Sequence, residues 1–222
     1  MPQGGDARHA LYVEFVRLLE GEDRAGAVKF ALSKLDSGEL DIPTLYSGLL
    51  APSLNDMVCH EDPDTCIWKE HVRSSLIRAI VESCYPYVLK QRKAGPGRTH
   101  GDRVLVVCPT EEYHELGARM VADFFTLHGY EVTFIGANTP RGVILSAARH
   151  VRPRYLAVSV TNYCNLFDAQ RVIAAVRKEL GTSVKVVVGG NAFKRNKGVA
   201  SEIGADLELQ TFTDISRLSG EG

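Results

Sequence analysis

The sequence predicts an α/β protein in which a four-helix bundle precedes a flavodoxin-like domain with a five-stranded parallel sheet. Three observations indicate this fold. Residues 8–93 carry apolar side chains only at helical spacing, with polar breaks between the helices. From Arg103 onward, short apolar runs alternate with helical patterns, which is the order of βα units. These runs are rich in Val and Leu, as in parallel sheets that helices cover on both faces.

Polar residues separate the predicted helices of the first part. Asp23 is the N-cap of the second helix, which Asp36-Ser37-Gly38 ends. Asp41-Ile42-Pro43 begins the third helix, and the polar turn at 61–64 precedes the fourth. Such short links predict an up-and-down bundle. The expected apolar faces are Leu11, Phe15, Leu18 and Leu19, then Ala27, Val28, Ala31, Leu32 and Leu35, then Leu45, Leu49, Leu50, Leu54 and Val58, and finally Ile67, Val72, Leu76, Ile80 and Cys84.

A stretch rich in glycine and charge, residues 91–102, separates the two patterns. Its composition is that of a linker, so the predicted boundaries are 8–93 for the bundle, 94–102 for the linker and 103–222 for the sheet domain. Asn138-Thr139-Pro140 predicts a helix cap followed by a proline in the first turn. The expected strands are Val104–Cys108, Val132–Gly136, Tyr155–Val160, Val184–Gly189 and a short Leu207–Leu209.

The composition is that of an ordinary soluble globular protein, with 45% hydrophobic and 24% charged residues. A formal net charge of −1 gives no electrostatic reason to expect direct binding of nucleic acid or of an acidic membrane. No apolar run approaches the ~20 residues of a membrane span, and no apolar signal core is present, so a cytoplasmic protein is expected. The five cysteines include no CxxC pair, and reduced, mostly buried thiols are expected.

The stretch Cys108–Pro140 contains the residues with the clearest chemistry. It predicts one βαβ unit, and ligands of open parallel sheets bind beyond the carboxyl ends of the strands, where its first loop lies. In that loop His114 has a carboxylate, Glu112, two residues before it and Gly117 three residues after it. An imidazole can bind a metal, a carboxylate can orient the imidazole from behind, and a glycine lets the backbone approach a large group.

Small and hydroxylated residues end two further predicted strands. Ser159 and Thr161 end the third strand, and Gly189-Gly190 ends the fourth; Tyr163, Cys164 and Asn165 follow the third strand and are further candidates for ligand contact. Because the carboxyl ends of parallel strands meet at one edge, these positions predict a slot for a flat group. Taken singly, Ser159 and Thr161 also fit an ordinary strand end, and Gly189-Gly190 also fits a tight turn. The sequence has no GxGxxG after its first strand, and it has no GxxxxGK[ST], HExxH or GxSxG motif.

The pattern Glu112-x-His114-x-x-Gly117 resembles the D/E-x-H-x-x-G motif of cobalamin-binding domains of the methionine-synthase type. The longer run from His114 to Pro140 resembles B12-dependent photoreceptor regulators of the CarH kind. The resemblance implies that His114 replaces dimethylbenzimidazole as the lower axial ligand of cobalt in hydroxo-, adenosyl- or methylcobalamin. It also implies that the pocket of the displaced nucleotide tail is lined by Ser159, Thr161, Gly189 and Gly190.

Glu70-His71 in the fourth predicted helix resembles the E-H part of the W-x9-E-H motif of CarH-type photoreceptors, whose tryptophan and glutamate help cap the upper face of the corrin. Position 60, where the tryptophan would stand, is a histidine, and Trp68 lies on a different helical register. A neutral imidazole can bind cobalt, so His60 is a candidate upper ligand and His71 an alternative donor. The opposing interpretation is that His60 only ends the third helix, where a cation is favoured, and that Glu70 and His71 are solvated.

Three functions fit the resemblance. The first is a cobalamin-dependent sensor or regulator, with light as a candidate signal, that acts through a protein partner such as a transcriptional repressor. Only about seven residues precede the first predicted helix, which leaves no room for the DNA-binding domain of CarH-type regulators; AerR-type antirepressors have the layout expected here. The second is a corrinoid methyl-carrier protein that works with a methyltransferase, and the third is a B12 storage or trafficking protein. No catalytic residue is assigned, and a homo-oligomer is a further expectation.

Overall fold

The computed structural model describes residues 4–94, 101–194, 196 and 198–218. The chain forms two compact units, Met1–Lys90 and Gln91–Gly222. The first is helical, and the second contains a five-stranded parallel sheet with flanking helices, which confirms the predicted fold class. The linker predicted over 94–102 falls mostly on residues outside the described part, so the domain boundaries stay a prediction.

The helical unit consists of four helical stretches. Helix α1 packs against α2 and against a π-helical turn in the third stretch, and the rings of Phe15 and Phe30 lie 5.8 Å apart between the first two helices. Apolar side chains buried in this unit include those at positions predicted for the inward faces, such as Leu19, Ala27 and Ile80. In order, the elements are α1 (Gly4–Glu20), α2 (Arg24–Asp36), α3 (Ile42–Leu45), the π-helical turn (Tyr46–Leu50), α4 (Ala51–Asn55) and α5 (Pro63–Ala94).

Local sequence explains where these helices begin and where the π-helical turn occurs. Asp23 accepts a hydrogen bond from Gly26 N at 2.8 Å and caps α2 as predicted. Asp41 accepts one from Thr44 N at 2.8 Å and caps α3. The π-helical turn comes just before Pro52, whose ring would otherwise crowd the carbonyl group four residues before it.

The third helical stretch is shorter than predicted. Helix α4 ends at Asn55, so Val58 and His60 lie in the segment that connects α4 to α5. Val58 is 73% exposed and belongs to no apolar face, and the prediction that His60 ends a helix is wrong. The helix stops at the polar pair Asn55-Asp56, and side chains of these types favour turns over helix interiors.

The prediction of reduced cysteines is wrong for one pair. Cys59 in the connecting segment forms a disulfide with Cys66 in the first turn of α5, at a sequence separation of 7. The thiols of Cys84 and Cys108 are buried as expected, whereas Cys164 is exposed. The spacing of Cys59 and Cys66 does not reveal this pair, because their proximity depends on where α4 stops and where α5 begins.

The sheet contains five parallel strands in the order β2-β1-β3-β4-β5. Each strand lies where the apolar runs predict it, with ends shifted by at most three residues. The chain changes direction across the sheet between β1 and β3, and this is the place where open α/β sheets form a ligand crevice. The strands are β1 (Arg103–Pro109), β2 (Glu131–Thr139), β3 (Tyr155–Ser159), β4 (Lys185–Gly189) and β5 (Leu207–Glu208).

The helices of the second unit follow the strands, and apolar side chains of α7, α8 and the strands form one continuous core. The predicted cap at Asn138 is wrong, because β2 continues through Thr139 and Pro140 is the N-cap of α7. None of the described helices combines the length and apolar character needed to cross a bilayer. The helices are α6 (Leu116–Leu127), α7 (Arg141–Val151), a 3-10 turn (Tyr163–Asn165), α8 (Leu166–Leu180), α9 (Asn191–Lys194), α10 (Val199–Glu202) and α11 (Phe212–Leu218).

Candidate functional site

The loop between β1 and α6 brings Glu112 and His114 together at the carboxyl edge of the sheet. Nδ1 of His114 lies 2.6 Å from Oε1 of Glu112, and the backbone N–H of His114 donates to the same oxygen at 3.0 Å. The side chain of Glu112 is fully buried, whereas that of His114 is 54% exposed. A buried carboxylate therefore orients an exposed imidazole, which is the arrangement that the spacing of the two residues predicts.

The loop after β3 holds the second oxygen of Glu112. Oε2 accepts hydrogen bonds from the backbone N–H groups of Thr161 at 2.8 Å and Asn162 at 2.9 Å, and from Nδ2 of Asn165 at 3.2 Å. Through this one carboxylate, the loop after β1 is joined to the loop after β3. These two strands flank the point where the chain changes direction across the sheet.

Glu112 is ionised at neutral pH although it is buried. Burial by itself raises the pKa of Glu112, but hydrogen bonds from the His114 side chain and from the backbone of Asn162, His114 and Thr161 outweigh burial and lower the pKa to about 2. An ionised carboxylate only accepts hydrogen bonds, so the proton of a neutral His114 lies on Nδ1. Nε2 is then the ring nitrogen that can act as a metal ligand.

The end of β2 supports the same loop from the other side. Asn138 has a φ of 47°, accepts a hydrogen bond from Glu111 N at 2.9 Å and donates its own N–H to the Glu112 carbonyl at 2.8 Å. The N–H of Ala137 donates to Oε2 of Glu115 at 2.9 Å. The loop is thus fixed from both neighbouring strands, which orients His114 in advance of any ligand.

Asn165 donates a hydrogen bond to Glu112, a contact that the sequence does not predict. It lies in the 3-10 turn, is 6% exposed, and its Nδ2 also donates to the carbonyl of Glu111 at 3.0 Å. It was expected to contact a ligand, but its amide is buried against the loop after β1. The one sequence feature that points to Asn165 is its position just after the third predicted strand. Spacing gives no sign of its contact with Glu112, because 53 residues separate the two.

Gly117, the second residue of α6, stands beside open space. A Cβ at this position would have no heavy atom within 4 Å. Glycine inside a helix is destabilising by roughly 0.5–1 kcal/mol relative to alanine, and nothing in the described chain requires it here. The open space therefore fits the expectation that a large ligand approaches the backbone at this point.

Gly189 and Gly190, in contrast, are required by the chain itself. A Cβ on Gly189 would overlap the carbonyl oxygen of Leu209, and one on Gly190 would overlap that of Val160. Gly190 also has a φ of 105°, which side chains other than hydrogen rarely allow. Close packing of backbone against backbone explains both residues, so their part in a nucleotide-tail pocket stays a prediction.

The other sheet-edge candidates lie where the strand pattern predicts them. Ser159 and Thr161 are half-buried at the end of β3, and Ser159 is paired with Gly189 of β4 in the register of the sheet. Tyr113 and Tyr163 are each 60% exposed in the two loops at this edge. The three predicted motifs therefore share one edge of the sheet.

Two observations bear on metal binding by other side chains. Burial, assisted by the charges of Glu112 and Glu115, raises the pKa of Cys108 to about 12, so this residue is a thiol at neutral pH. Within the ranges that the structure describes, no group of three or more His, Cys, Asp or Glu side chains is placed to hold a metal ion.

The candidates for the upper face of a cofactor lie in the helical unit. His60 is in the segment between α4 and α5, and Glu70 and His71 are about two turns into α5; all three are exposed. Trp68 is 44% exposed, and Nζ of Lys69 lies 5.8 Å from the centroid of its ring. The roles of these residues stay predictions.

Replacing Glu112 by glutamine is expected to change the pH dependence of stability. The folded-state pKa is lower than the ordinary 4.5, so the carboxylate stabilises the fold above about pH 4.5, and this contribution is lost as the pH falls toward 2. The wild-type apoprotein should exceed Glu112→Gln in unfolding free energy at pH 7, and the difference should shrink by about 2 kcal/mol at pH 3. Urea unfolding of both proteins at the two pH values measures this difference in unfolding free energy. An equal difference at the two pH values would contradict the ionised, hydrogen-bonded carboxylate.

Comparison with known proteins gives the class of this site. Residues 102–209 match the family described as the B12 binding domain. This part of the chain thus resembles B12 binding domains, and the match supports cobalamin as the class of cofactor.

Two transcriptional repressors of Myxococcus xanthus are similar to this chain. The HTH-type transcriptional repressor CarA is 32% identical over 120 residues, which are 54% of this chain and 38% of CarA. The HTH-type transcriptional repressor CarH is 27% identical over 176 residues, 79% of this chain and 56% of CarH. The chain thus spans less than two thirds of either relative.

A solved structure shares the fold over nearly the full length of both chains. The monomethylamine corrinoid protein of Methanosarcina barkeri superimposes with a TM-score of 0.76, covers 96% of this chain and 98% of its own, and is 15% identical. At that identity the likeness establishes the fold and no more. It agrees with the helical unit followed by a five-stranded parallel sheet.

Proposed function

We propose that this protein is a cobalamin-binding sensor that holds B12 with His114 as the lower axial ligand of cobalt and signals through a protein partner in response to light. The observation that carries the proposal is the His114–Glu112 pair, in which an ionised carboxylate fixes Nδ1 and leaves Nε2 as the ligand nitrogen. A lower ligand from the protein means that dimethylbenzimidazole is displaced, and its nucleotide tail then needs a place of its own at the sheet edge.

The chain's own residues fit this cofactor. Glu112, itself held by Asn165, fixes the orientation of the imidazole, and the open space at Gly117 leaves room for a large ring beside it. Ser159, Thr161, Gly189 and Gly190 are the proposed lining of the tail pocket, because they share the edge at which His114 lies. Bound as methyl- or adenosylcobalamin, the cofactor would supply a cobalt–carbon bond that light can cleave, and the methyl form would also supply a methyl group for transfer.

The partner proposed for signalling is a protein, such as a transcriptional repressor. The matches with CarA and CarH support a regulatory role, because both are transcriptional repressors. A formal net charge of −1 gives this chain no general attraction for nucleic acid or for an acidic membrane. A protein partner is therefore favoured over direct binding of an operator.

A corrinoid methyl carrier is the second candidate, since a corrinoid protein has the same fold. The fold likeness to the monomethylamine corrinoid protein extends over 96% of this chain. A methyl carrier must accept a methyl group on reduced cobalt and then transfer it in a reaction that a methyltransferase catalyses. A sensor or a storage protein has no such cycle. Methylation of the reduced, cobalamin-loaded protein by a methyl donor, followed by transfer to an acceptor thiol, would favour the carrier.

The experiment that tests the sensor proposal uses the protein loaded with hydroxo-, methyl- or adenosylcobalamin. Absorption spectra and light-scattering masses are recorded in the dark and after illumination. A light-dependent change in the state of assembly supports signalling. Identical masses in every form, in the dark and after light, would favour storage or trafficking.

The hypothesis that His60 is an upper ligand predicts a specific spectrum. Its imidazole lies in the connecting segment and is exposed, and imidazole nitrogens are common metal ligands. Hydroxocobalamin bound to the wild type should therefore show the spectrum of two imidazole ligands, and His60→Ala should lose it. If the spectrum persists in His60→Ala and disappears only in His71→Ala, the donor is on α5.

A further inference from the structure

A disulfide attaches the segment between α4 and α5 to the rest of the helical unit. Among the described residues, no hydrogen bond, ion pair or ring contact involves Met57, Val58 or His60. Cys59, in the middle of this segment, is covalently joined to Cys66 of α5. Within the part of the chain that the structure describes, the disulfide is therefore the one side-chain bond that joins residues 57–60 to the helix that follows them.

The other end of the disulfide has support that does not depend on it. The Thr65 N–H donates to Oδ1 of Asp62 at 3.0 Å, and the Cys66 N–H donates to the Asp62 carbonyl at 3.0 Å. Glu61 forms an ion pair with Lys69. The first turn of α5 thus has its own cap and ion pair, and opening the disulfide would release residues 57–60 while α5 keeps its start.

The bond also lies at the surface of the helical unit. Cys59 and Cys66 are half-buried, and their neighbours Val58, Ile67 and Trp68 are 73%, 53% and 44% exposed. Exchange requires that a thiolate reach one sulfur in line with the bond, and the exposure of these neighbours favours such an approach. The other cysteines differ, because Cys84 and Cys108 are buried and Cys164 has no disulfide partner.

We propose that Cys59–Cys66 is a thiol–disulfide exchange site that controls the freedom of the segment carrying His60. A dithiol is the proposed reductant. One of its thiolates attacks a cysteine sulfur, the sulfur–sulfur bond breaks, and the other cysteine leaves as a thiolate that takes up a proton. The second thiol of the reductant then attacks the mixed disulfide and releases the second cysteine. Two electrons and two protons pass to the protein, and the reductant becomes a disulfide.

The bond itself is tested by mass spectrometry of the folded apoprotein in a Cys164→Ser background, which removes the exposed thiol. The protein is incubated with or without dithiothreitol and alkylated with iodoacetamide without denaturant. Reduction should add two carbamidomethyl groups, at Cys59 and Cys66, and the untreated protein should take none. Two carbamidomethyl groups on the untreated protein, or none after reduction, would overturn the proposal of an exchange site.

The effect on the segment is tested by NMR relaxation of backbone amides in the same background. Reduction should lower the order parameters of residues 57–60 below about 0.6, the range of flexible backbone. Those of the middle of α5 should not change. The double variant Cys59→Ser/Cys66→Ser should show the low values with and without dithiothreitol. Order parameters that do not respond to reduction would show that the disulfide restrains nothing. The test uses no cobalamin, so its outcome is independent of the ligand role proposed for His60.

Discussion

His114→Ala is expected to lose cobalamin binding while the apoprotein stays folded. The loss of affinity should exceed the ~10–100-fold typical for removal of an outer-shell partner, because the ligand to the metal is itself removed. The fold should survive, because the side chain of His114 is 54% exposed and the backbone of its loop is held by Glu112, Asn138 and Glu115. Titration with hydroxocobalamin, followed by absorption, measures the change.

The matched control for this variant is His150→Ala. His150 is also exposed, but it lies in the last turn of α7, at the sheet edge from which β3 begins. It should bind cobalamin as the wild type does, and Glu112→Gln should fall between the two histidine variants in affinity. Unchanged affinity and an unchanged spectrum in His114→Ala would refute the proposed lower ligand.

Gly117→Val is expected to bind cobalamin at least as poorly as Glu112→Gln, and for a different reason. The space around the Gly117 Cβ is open within the described chain, so valine should cost the apoprotein nothing and should favour α6 slightly over glycine. In the loaded protein, the branched side chain would occupy space that the ligand needs. Thermal unfolding of the apoprotein and titration with hydroxocobalamin separate the two effects.

A graded series makes this prediction sharper. Gly117→Ala adds one carbon atom and should weaken binding less than Gly117→Val, while both apoproteins keep at least the wild-type unfolding temperature. Gly190→Val is unsuitable for the same purpose, because its side chain would overlap the Val160 carbonyl even without ligand. Tight cobalamin binding by Gly117→Val would show that the ligand does not approach α6 at this residue.

The sequence by itself determined the order of the elements and the centre of the site. Apolar runs in Val and Leu predict a buried parallel strand because both faces of such a strand are covered, and all five strands lie where these runs place them. Glu112 and His114 are two residues apart, and a hydrogen bond across so short a distance depends mainly on the local turn. Both conclusions can be read from residues that lie close together in the chain, which is the information that spacing contains.

The tertiary structure alone decided which distant groups meet. Asn165 reaches Glu112 because β1 and β3 are adjacent in the sheet, an adjacency that a single sequence does not encode locally. Gly189 and Gly190 suggested room for a ligand, but the carbonyl groups of Leu209 and Val160 account for them. Cys59 and Cys66 are joined because α4 stops early and the following segment returns to α5. In each case the deciding contact depends on how elements are placed in space, and residue spacing carries no measure of that placement.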